Sequence, residues 1–450
     1  MTSAPEPSAN DYGAAVEALF ARQPNRMVPD LERMQTLVEL LGRPDQVYPA
    51  IQITGTNGKT STTHMIACLL GALGINAGSY TSPHLQDVRE RIRIATEPIS
   101  RAALVEGLSY LEPFLAEVDA RHQQRTTFFE VLTALAFNHF ADAPVDVGVF
   151  EVGMGGRWDA TNLVRGETAL IGRVALDHPE LGSSVEEVAR EKLGIIKDGA
   201  VVVSAAQEPA VADLVKSVVT DRGGRLVAAE VDFGVTRRSP AVGGQQLTLR
   251  GVTGNFEDVY LPLIGEHQAR NAAAALAVVE GFLGFAGGLD ADVVRTGFAA
   301  VRNPGRLELI RRGGAAAGPE EGAAPVLLDG AHNPAGMAAL VRALREEFAH
   351  RHRVFVLGIL GDKDTRAMVS ELAGVAQHVV VTAPPSERAA DPERLAALVE
   401  EAGISAEVAE DVPAALELAS GLATSEDGII VTGSLYTVGA ARDALGLEPL

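Results

Sequence analysis

The chain alternates short apolar runs with amphipathic segments. The apolar runs predict buried strands at residues 49–53, 145–152, 168–176 and 201–204. The amphipathic segments repeat apolar side chains at helical spacing, and they predict helices at residues 30–41, 62–73 and 133–140. Strands that alternate with helices are typical of a mostly parallel sheet that is covered on both faces. The pattern therefore predicts an α/β fold with a doubly wound sheet.

The pattern changes further along the chain. Between Ala241 and Leu263 the alternation weakens, which predicts short antiparallel strands at the sheet edge, and residues 267–282 then predict an Ala-rich helix. Residues 302–306 (Arg-Asn-Pro-Gly-Arg) predict a linker, because Pro and Gly interrupt regular structure. Beyond the linker, a new alternation predicts strands near residues 326–329, 354–360, 379–383 and 429–432.

The length and this second alternation predict two domains. The first covers residues 1–302, of which 1–24 are expected to be disordered. The second covers residues 303–450 and is expected to be a smaller Rossmann-like α/β domain.

A Gly-rich turn joins the first predicted strand to the helix that follows it. Its sequence is Gly55-Thr56-Asn57-Gly58-Lys59-Thr60-Ser61. Such a turn directs backbone N–H groups and a helix N-terminus at one point, where they can bind phosphate. Lys59 adds a positive charge, and Thr60 adds a hydroxyl that can reach Mg2+. The general P-loop has a Gly where Ile53 stands, so this loop is shorter; a Gly-rich turn with a solvated lysine is the alternative.

Composition narrows the environment and the partners. The formal net charge is −21 and the basic residues are scattered, so nucleic acid is not expected as a partner. The single cysteine, Cys68, excludes an intramolecular disulfide and fits a reducing compartment. No apolar run is long enough to span a membrane, and the first residues lack the apolar core of a signal peptide. We therefore expect a cytoplasmic protein without a membrane partner.

Polar side chains directly follow two of the predicted strands. Glu151 ends one strand and precedes several glycines, and Asp177-His178 ends the next strand. Because ligands bind outside the carboxyl ends of parallel strands, Glu151 and His178 are candidate Mg2+ ligands, with a solvated Glu and a structural His as the alternatives. Lys192 follows on a helix, where an ion pair would be its ordinary role.

Seven motifs occur in an order that points to a family. They are residues 55–60, Thr81-Ser82-Pro83-His84-Leu85, Arg89-Glu90-Arg91-Ile92, residues 151–162, Asp177-His178, residues 191–197 and Asp329-Gly330-Ala331-His332-Asn333-Pro334. With these motifs the chain resembles the folylpolyglutamate synthase and dihydrofolate synthase family of the Mur ligase superfamily. The resemblance implies a P-loop domain of the Mur ligase central type, followed by a glutamate ligase domain.

The resemblance also implies roles in binding ATP and Mg2+. ATP would be bound by Thr56, Asn57, Gly58, Lys59, Thr60, Ser61, Asn271, Arg306 and Asp329. One Mg2+ would be bound by Ser82 and Glu151, and a second by His178. Lys192 matches the lysine that is carbamylated in this superfamily, which would turn a cation into a carboxylate-like ligand. The catalytic residues would be Lys59, His178, Lys192 and His332.

Further matching positions imply an acceptor side. Residues 127–130 (Thr127, Phe128, Phe129 and Glu130) resemble the family's pterin-contact segment, where aromatic faces can stack on a flat ring. Ser434 would help to place the incoming glutamate. Trp158 stands where Leu is common in the family, Leu193 replaces Ala beside Lys192, and the loop after His178 is one residue shorter than usual. These departures concern the acceptor and the second metal rather than ATP.

The sequence therefore predicts an ATP-dependent acid–amino-acid ligase. By resemblance, it would add L-glutamate to dihydropteroate, to the γ-carboxylate of reduced folates, or to both. The reaction would pass through an acyl phosphate and release ADP and phosphate, and the family suggests a monomer. The alternatives are a Mur-type ligase for another carboxylate acceptor and a catalytically silent ATP-binding homologue. The second alternative is disfavoured because Glu151, His178 and Lys192 are all present.

Overall fold

The computed structural model describes residues 9–23, 30–176, 179–311, 323–348 and 352–449. Its N-terminal part is built on an eight-stranded sheet of order β4-β3-β2-β5-β1-β6-β7-β8. The strands are β1 (Ala50–Thr54), β2 (Ala77–Tyr80), β3 (Ile92–Ile94), β4 (Glu97–Pro98), β5 (Val147–Glu151), β6 (Thr168–Ile171), β7 (Val201–Ser204) and β8 (Arg225–Ala228). All neighbouring pairs from β2 to β8 are parallel, whereas β3 and β4 join antiparallel. The predicted α/β class is confirmed.

Helices cover both faces of this sheet. They are α1 (Ala9–Phe20), α2 (Glu32–Leu40), α3 (Lys59–Ala72), α4 (Arg101–Arg121), α5 (Phe128–Asp142), α6 (Val185–Lys192), α7 (Pro209–Asp221), α8 (Glu266–Phe282) and α9 (Ala291–Ala299). Alternate residues of β1 point to opposite faces, as a strand requires. Ile51 and Ile53 pack in a cluster with α3 and α8, whereas Ala50 packs in a cluster with α5.

The expected disorder of residues 1–24 is wrong for residues 9–20, which form α1. Tyr12, Val16 and Leu19 follow helical spacing and pack against the cluster formed by α2, α4 and α5. The hydroxyl of Tyr12 donates a hydrogen bond to Asp87 Oδ1 (2.6 Å). The segment begins with Asn10, Asp11 and Gly13, which are poor helix formers, and only a tertiary partner makes so short a helix stable.

The antiparallel strands predicted at the sheet edge form a separate sheet instead. Strands β9 (Gly234–Ala241), β10 (Gly244–Arg250) and β11 (Asn255–Leu261) pair antiparallel in the order β11-β10-β9. Their inward residues, such as Leu247 and Val259, pack in the cluster that contains α8. Since β8 already closes the edge of the main sheet, these strands bury their apolar face against a helix.

The C-terminal part carries a six-stranded sheet of order β12-β13-β17-β14-β15-β16, in which only the β12–β13 pair is antiparallel. The strands are β12 (Glu308–Ile310), β13 (Val326–Leu328), β14 (Arg353–Leu357), β15 (His378–Val381), β16 (Ser405–Val408) and β17 (Gly428–Thr432). The helices here are α10 (Pro334–Glu347), α11 (Thr365–Leu372), α12 (Pro392–Glu401), α13 (Val412–Leu422) and α14 (Leu435–Ala444). The second α/β unit expected from the sequence is therefore present.

Strand register brings the carboxyl ends of several strands together. Ile53 of β1 pairs with Glu151 of β5 on one side and with Leu170 of β6 on the other. The turn after β1 and the end of β5 therefore lie at the same edge of the sheet. Within the described ranges, no helix is both long and apolar enough to cross a membrane.

Candidate active site

The turn between β1 and α3 depends on two glycines. Gly58 has φ +83°, and a Cβ there would lie 2.8 Å from Oδ1 of Asn271 on α8. Gly55 has φ +154°, and a Cβ there would lie 2.9 Å from the Cα of Gly172. Any larger side chain would therefore collide with a neighbour as well as strain the backbone. The same close approach brings Asn271 to the turn, and its contact with ATP stays a prediction.

The hydroxyls of Thr56 and Ser61 are held by the protein. Thr56 Oγ1 accepts a hydrogen bond from Ala175 N (3.0 Å) and donates to Ala175 O (3.1 Å). Ser61 Oγ is buried and accepts from Asn303 Nδ2 (2.6 Å) and Gln268 Nε2 (3.3 Å). These hydroxyls fasten the turn to the main sheet and to the linker. The backbone N–H of Thr56 is engaged as well, by Arg173 O (3.0 Å), so phosphate binding by Thr56 and Ser61 stays a prediction.

Glu151 is the centre of an oxygen-rich cluster and is only 2% exposed. Its carboxylate accepts hydrogen bonds from Thr60 Oγ1 (2.9 and 3.1 Å) and from Ser82 N (3.1 Å). Burial raises the pKa of Glu151, while Lys59 and these hydrogen bonds act in the opposite direction. A carboxylate needs a cation or donors to stay charged at such a place.

The chemistry of this cluster fits Mg2+. Thr60, Ser82 and Glu151 offer two hydroxyls and one carboxylate, and Mg2+ prefers oxygen ligands with few carboxylates plus substrate phosphates. No group of three or more His, Cys, Asp or Glu side chains that could hold a metal occurs among the described residues. His178, the predicted ligand of a second Mg2+, lies with Asp177 outside the described residues.

Lys192 reaches the phosphate-binding turn from α6. Its side chain is 2% exposed, and Nζ donates a hydrogen bond to the carbonyl oxygen of Gly55 (3.1 Å). Lys59 Nζ donates to the same carbonyl oxygen, also at 3.1 Å. Two lysines therefore meet at one atom of the turn, which places Lys192 beside the ATP-binding loop rather than in a surface ion pair.

The C-terminal part contacts the turn through an amide pair. Asn57 Nδ2 donates to Asn333 Oδ1 (3.2 Å), and Asn333 Nδ2 donates to Asn57 Oδ1 (3.0 Å). Asn333 also caps α10, accepting from Gly336 N (2.8 Å). The N-terminus of α10 is thereby directed at the phosphate-binding turn.

His332 is buried beside this contact. Its Nδ1 lies 2.8 Å from the carbonyl oxygen of Gly330, so Nδ1 carries the proton and Nε2 is left as an acceptor. Burial, followed by the charges of Arg306, Lys363 and Lys59, lowers the pKa of His332 to about 4. The imidazole is therefore neutral near neutral pH and is surrounded by three cations.

Lys363 was missed in the sequence. It lies in the turn that follows β14, the position where the carboxyl end of a parallel strand delivers ligand-binding residues. The segment Gly361-Asp362-Lys363-Asp364 resembles a solvated polar turn, and the effect of the Lys363 charge on the pKa of His332 distinguishes it.

Asp329 fastens the linker at the end of β13. Its two oxygens accept hydrogen bonds from Leu307 N and Ala331 N, both at 3.0 Å. Burial raises the pKa of Asp329 to about 6, and the charge of Arg306 acts against that shift. Arg306 itself donates to Gly330 O (3.4 Å). Contact of Asp329 with the ribose stays a prediction, since its oxygens are engaged by backbone groups.

The predicted pterin-contact segment is largely engaged by the protein. Thr127 and Glu130 form a reciprocal cap at the start of α5, and Glu130 also pairs with Arg33 at 3.0 Å. Phe128 is buried against Phe20, with ring centres 5.0 Å apart. Phe129 is half-buried, and a Cβ on Gly153 would lie 2.6 Å from its ring. Of the two aromatic side chains, Phe129 is the one that keeps part of its surface exposed, and contact of this segment with a pterin stays a prediction.

The last two predicted acceptor residues lie in different surroundings. Trp158 is 49% exposed on the loop after β5, so its ring is available to a ligand. Ser434 is buried and caps α14, where Oγ accepts from Thr437 N (3.0 Å). A role of Ser434 in placing glutamate stays a prediction.

The fold and the site define a class of protein. A phosphate-binding turn and a Mg2+-type cluster in one α/β unit face the linker and the first helix of a second α/β unit. Two family models match in this order: the Mur ligase middle domain over residues 53–279 and the Mur ligase glutamate ligase domain over residues 305–435.

Comparison with individual proteins narrows the class. The chain is 44% identical to a dihydrofolate synthase/folylpolyglutamate synthase of Mycobacterium tuberculosis over 94% of this chain and 91% of the relative. It is 34% identical to a folylpolyglutamate synthase of Lacticaseibacillus casei, over 92% and 94% of the two chains. The solved Mycobacterium tuberculosis folylpolyglutamate synthase complexed with ADP superposes with a TM-score of 0.91 at 42% identity, covering 98% of this chain and 99% of that chain. An FPGS–AMPPCP–folate complex gives a TM-score of 0.82 at 33% identity, covering 96% and 99%. The chain belongs to the folylpolyglutamate synthase/dihydrofolate synthase family of the Mur ligases.

Proposed function

We propose that the chain joins L-glutamate to a carboxylate of dihydropteroate, of a reduced folate, or of both, at the expense of ATP. The γ-phosphoryl group of ATP passes to the acceptor carboxylate, which forms an acyl phosphate and ADP. The α-amine of glutamate attacks the acyl carbon, phosphate leaves, and the amine loses a proton. We further propose that the working enzyme is a monomer, which light scattering on the purified protein would test.

One observation carries this proposal: a phosphate-binding turn and a buried carboxylate lie opposite cations of the second domain. Lys59 and Glu151 belong to the first domain, whereas Arg306, His332 and Lys363 belong to the linker and the second domain. A site between two domains can close over its substrates and exclude water, which an acyl phosphate requires.

Each group has a task that follows from its charge. Lys59, Arg306 and Lys363 lower the cost of the charge that develops during phosphoryl transfer. His332 keeps a neutral Nε2 that can accept a hydrogen bond without adding positive charge. Bound Mg2+, held by Thr60, Ser82 and Glu151, would supply further charge neutralisation at the phosphates.

The proposed activity is tested by glutamate-dependent ADP release. The purified chain is given ATP, Mg2+ and L-glutamate with either dihydropteroate or tetrahydrofolate as the acceptor. We expect ADP release that needs both glutamate and an acceptor, together with a product extended by one glutamate. The absence of glutamate-dependent ADP release with both acceptors would contradict the proposal. ATP binding without any turnover would favour the silent homologue.

We also propose that Lys192 is carbamylated and that, with His178, it serves a second Mg2+. The support is the burial of Lys192 and its contact with the phosphate-binding turn. An uncarbamylated Lys192 would place a second ammonium group beside that of Lys59, and the two positive charges would repel each other. Labelled bicarbonate should give a carbamate signal in the NMR spectrum of the wild type but not of Lys192→Ala. His178→Ala should bind one Mn2+ fewer per chain in an ADP-loaded titration. An unchanged spectrum and an unchanged stoichiometry would contradict these two statements.

A further inference from the structure

One buried arginine is not used by the reaction described above. Arg91 ends the short helical turn Val88–Arg91 and is only 7% exposed. Its guanidinium carbon lies 4.9 Å from the centre of the Phe128 ring. Its Nε donates a hydrogen bond to His84 Nδ1 (2.8 Å). The two terminal nitrogens of the guanidinium are not used in this hydrogen bond.

Arg91 has no anionic partner in the described part of the chain. Neither an ion pair nor a hydrogen bond from its terminal nitrogens is formed there. The carboxylate of Glu90 is taken by the backbone N–H groups of Leu85, Gln86 and Asp87, and that of Glu151 by Thr60 and Ser82.

The partner of Nε does not neutralise the charge either. His84 accepts this hydrogen bond through Nδ1, as a neutral imidazole does, and therefore brings no negative charge. A buried guanidinium without an anion is costly, and the cost is offset when a ligand brings the anion.

The position of Arg91 in the site indicates which anionic ligand would neutralise its guanidinium. The backbone carbonyl oxygen of Arg91 accepts a hydrogen bond from Thr81 N (2.9 Å), next to Ser82, and its guanidinium stacks on Phe128, next to Phe129. The electrostatic influence of Glu151, from the phosphate side, and of Tyr436, from the second domain, reaches its guanidinium. Arg91 therefore lies between the acceptor side and the reacting centre, whereas Lys59, Arg306 and Lys363 converge on His332.

We propose that Arg91 binds the acceptor carboxylate that is not phosphorylated, namely the α-carboxylate of the terminal glutamate of a folate. A guanidinium fork with two free terminal nitrogens suits a carboxylate, which it can bind through parallel hydrogen bonds. Dihydropteroate has a single carboxylate, which is the one that reacts, so it gains nothing from this contact. Arg91 thus selects for chain extension over the first addition of glutamate. This inference rests on the proposed function.

The test compares two acceptors in two variants and a control. Arg91→Gln should lower kcat/KM for tetrahydrofolate by about 10- to 100-fold, the range expected for a lost charge-assisted pair, and change kcat/KM for dihydropteroate by less than about threefold. Arg91→Lys should recover part of the loss. The control is Arg89→Gln, because Arg89 lies on the same turn but is already paired with Asp87 at 2.9 Å, so both acceptors should be unaffected.

A second measurement changes the acceptor instead of Arg91, and its main comparison uses the wild type alone. The wild type should use tetrahydrofolate in preference to its α-carboxamide analogue by a similar factor, and Arg91→Lys should narrow that preference. This comparison remains decisive if Arg91→Gln does not fold, which thermal unfolding and ADP binding will show.

Three outcomes overturn the inference. They are an equal loss with both acceptors in a folded variant, no loss with tetrahydrofolate, and equal use of the α-carboxamide by the wild type. Failure of the wild type with both acceptors would instead refute the proposed function, so the two failures are distinguishable.

Discussion

The phosphate side and the acceptor side of the site are built differently. The phosphate side is centred on one continuous run, residues 55–60, whose glycines and backbone shape the binding surface, and Glu151 is hydrogen-bonded to Thr60 of that run. The acceptor side is assembled from distant segments, and much of its polar chemistry already serves the fold: Thr127 and Glu130 cap α5, and Ser434 caps α14. Side chains that match a motif can therefore be occupied by capping, whereas the terminal nitrogens of Arg91, which make no hydrogen bond within the described residues, are available to a ligand.

The phosphate side should fail most severely when its carboxylate is neutralised. Glu151→Gln keeps the shape but removes the charge beside Thr60 and Ser82. We expect kcat for ADP release to fall by about 100- to 1,000-fold with either acceptor, as when one preorganised electrostatic group is lost. Steady-state assays at saturating ATP would measure this.

An exposed carboxylate serves as the control for Glu151. Glu97→Gln changes the same chemical group on β4, away from the turn, and should leave kcat unaltered. Retention of near-normal activity in Glu151→Gln would show that the cluster is not the metal-binding side of the site.

The linker should differ from the phosphate side in how its contribution to the free energy of unfolding depends on pH. The pKa of Asp329 is about 6 in the folded chain, against an ordinary value of 3.8. Between these values the folded state binds more protons than the unfolded state, so the contribution of Asp329 to stability is present below about pH 4 and is lost as the pH rises through 6. The expected loss is at most about 3 kcal/mol.

Two variants measure this contribution by denaturant unfolding across the same pH range. The stability of Asp329→Asn relative to the wild type should rise between pH 4 and pH 6.5. Asp427→Asn is the control: hydrogen bonds from Thr424 lower the pKa of Asp427 below its ordinary 3.8, so this group titrates below the tested range and the difference in stability from the wild type should stay nearly constant. A pH-independent difference for Asp329→Asn would remove this titration as the cause.

The smallest expected effects are those of substituting two adjacent aromatic residues on the acceptor side, Phe128 and Phe129. Phe128 is buried between Phe20 and Arg91, whereas Phe129 is half-buried against Tyr80. Phe128→Leu should lower the free energy of unfolding by about 1 to 2 kcal/mol. Phe129→Leu should cost less stability and raise KM for the acceptor. Equal effects of the two variants on KM would mean that both rings touch the acceptor.

Much of the fold could be predicted from local pattern. The continuous apolar run that became β5 and the 17-residue Ala-rich segment that became α8 can be recognised without a tertiary partner. The phosphate-binding turn is likewise a local feature, since Gly58 and Lys59 are neighbours in the chain. By contrast, α1 and the sheet β9–β11 depend on the surfaces that receive them.

The sequence by itself determined the two α/β units, the phosphate-binding turn and the family motifs, because each is carried by residues close together in the chain. Only the tertiary structure decided which polar side chains are already engaged. It placed Asn57 in hydrogen bonds with Asn333 and placed Lys363 where its charge lowers the pKa of His332. It also left the terminal nitrogens of Arg91 without an anion among the described residues. The physical reason is that a hydrogen bond or an unpaired charge depends on which distant groups share one buried volume.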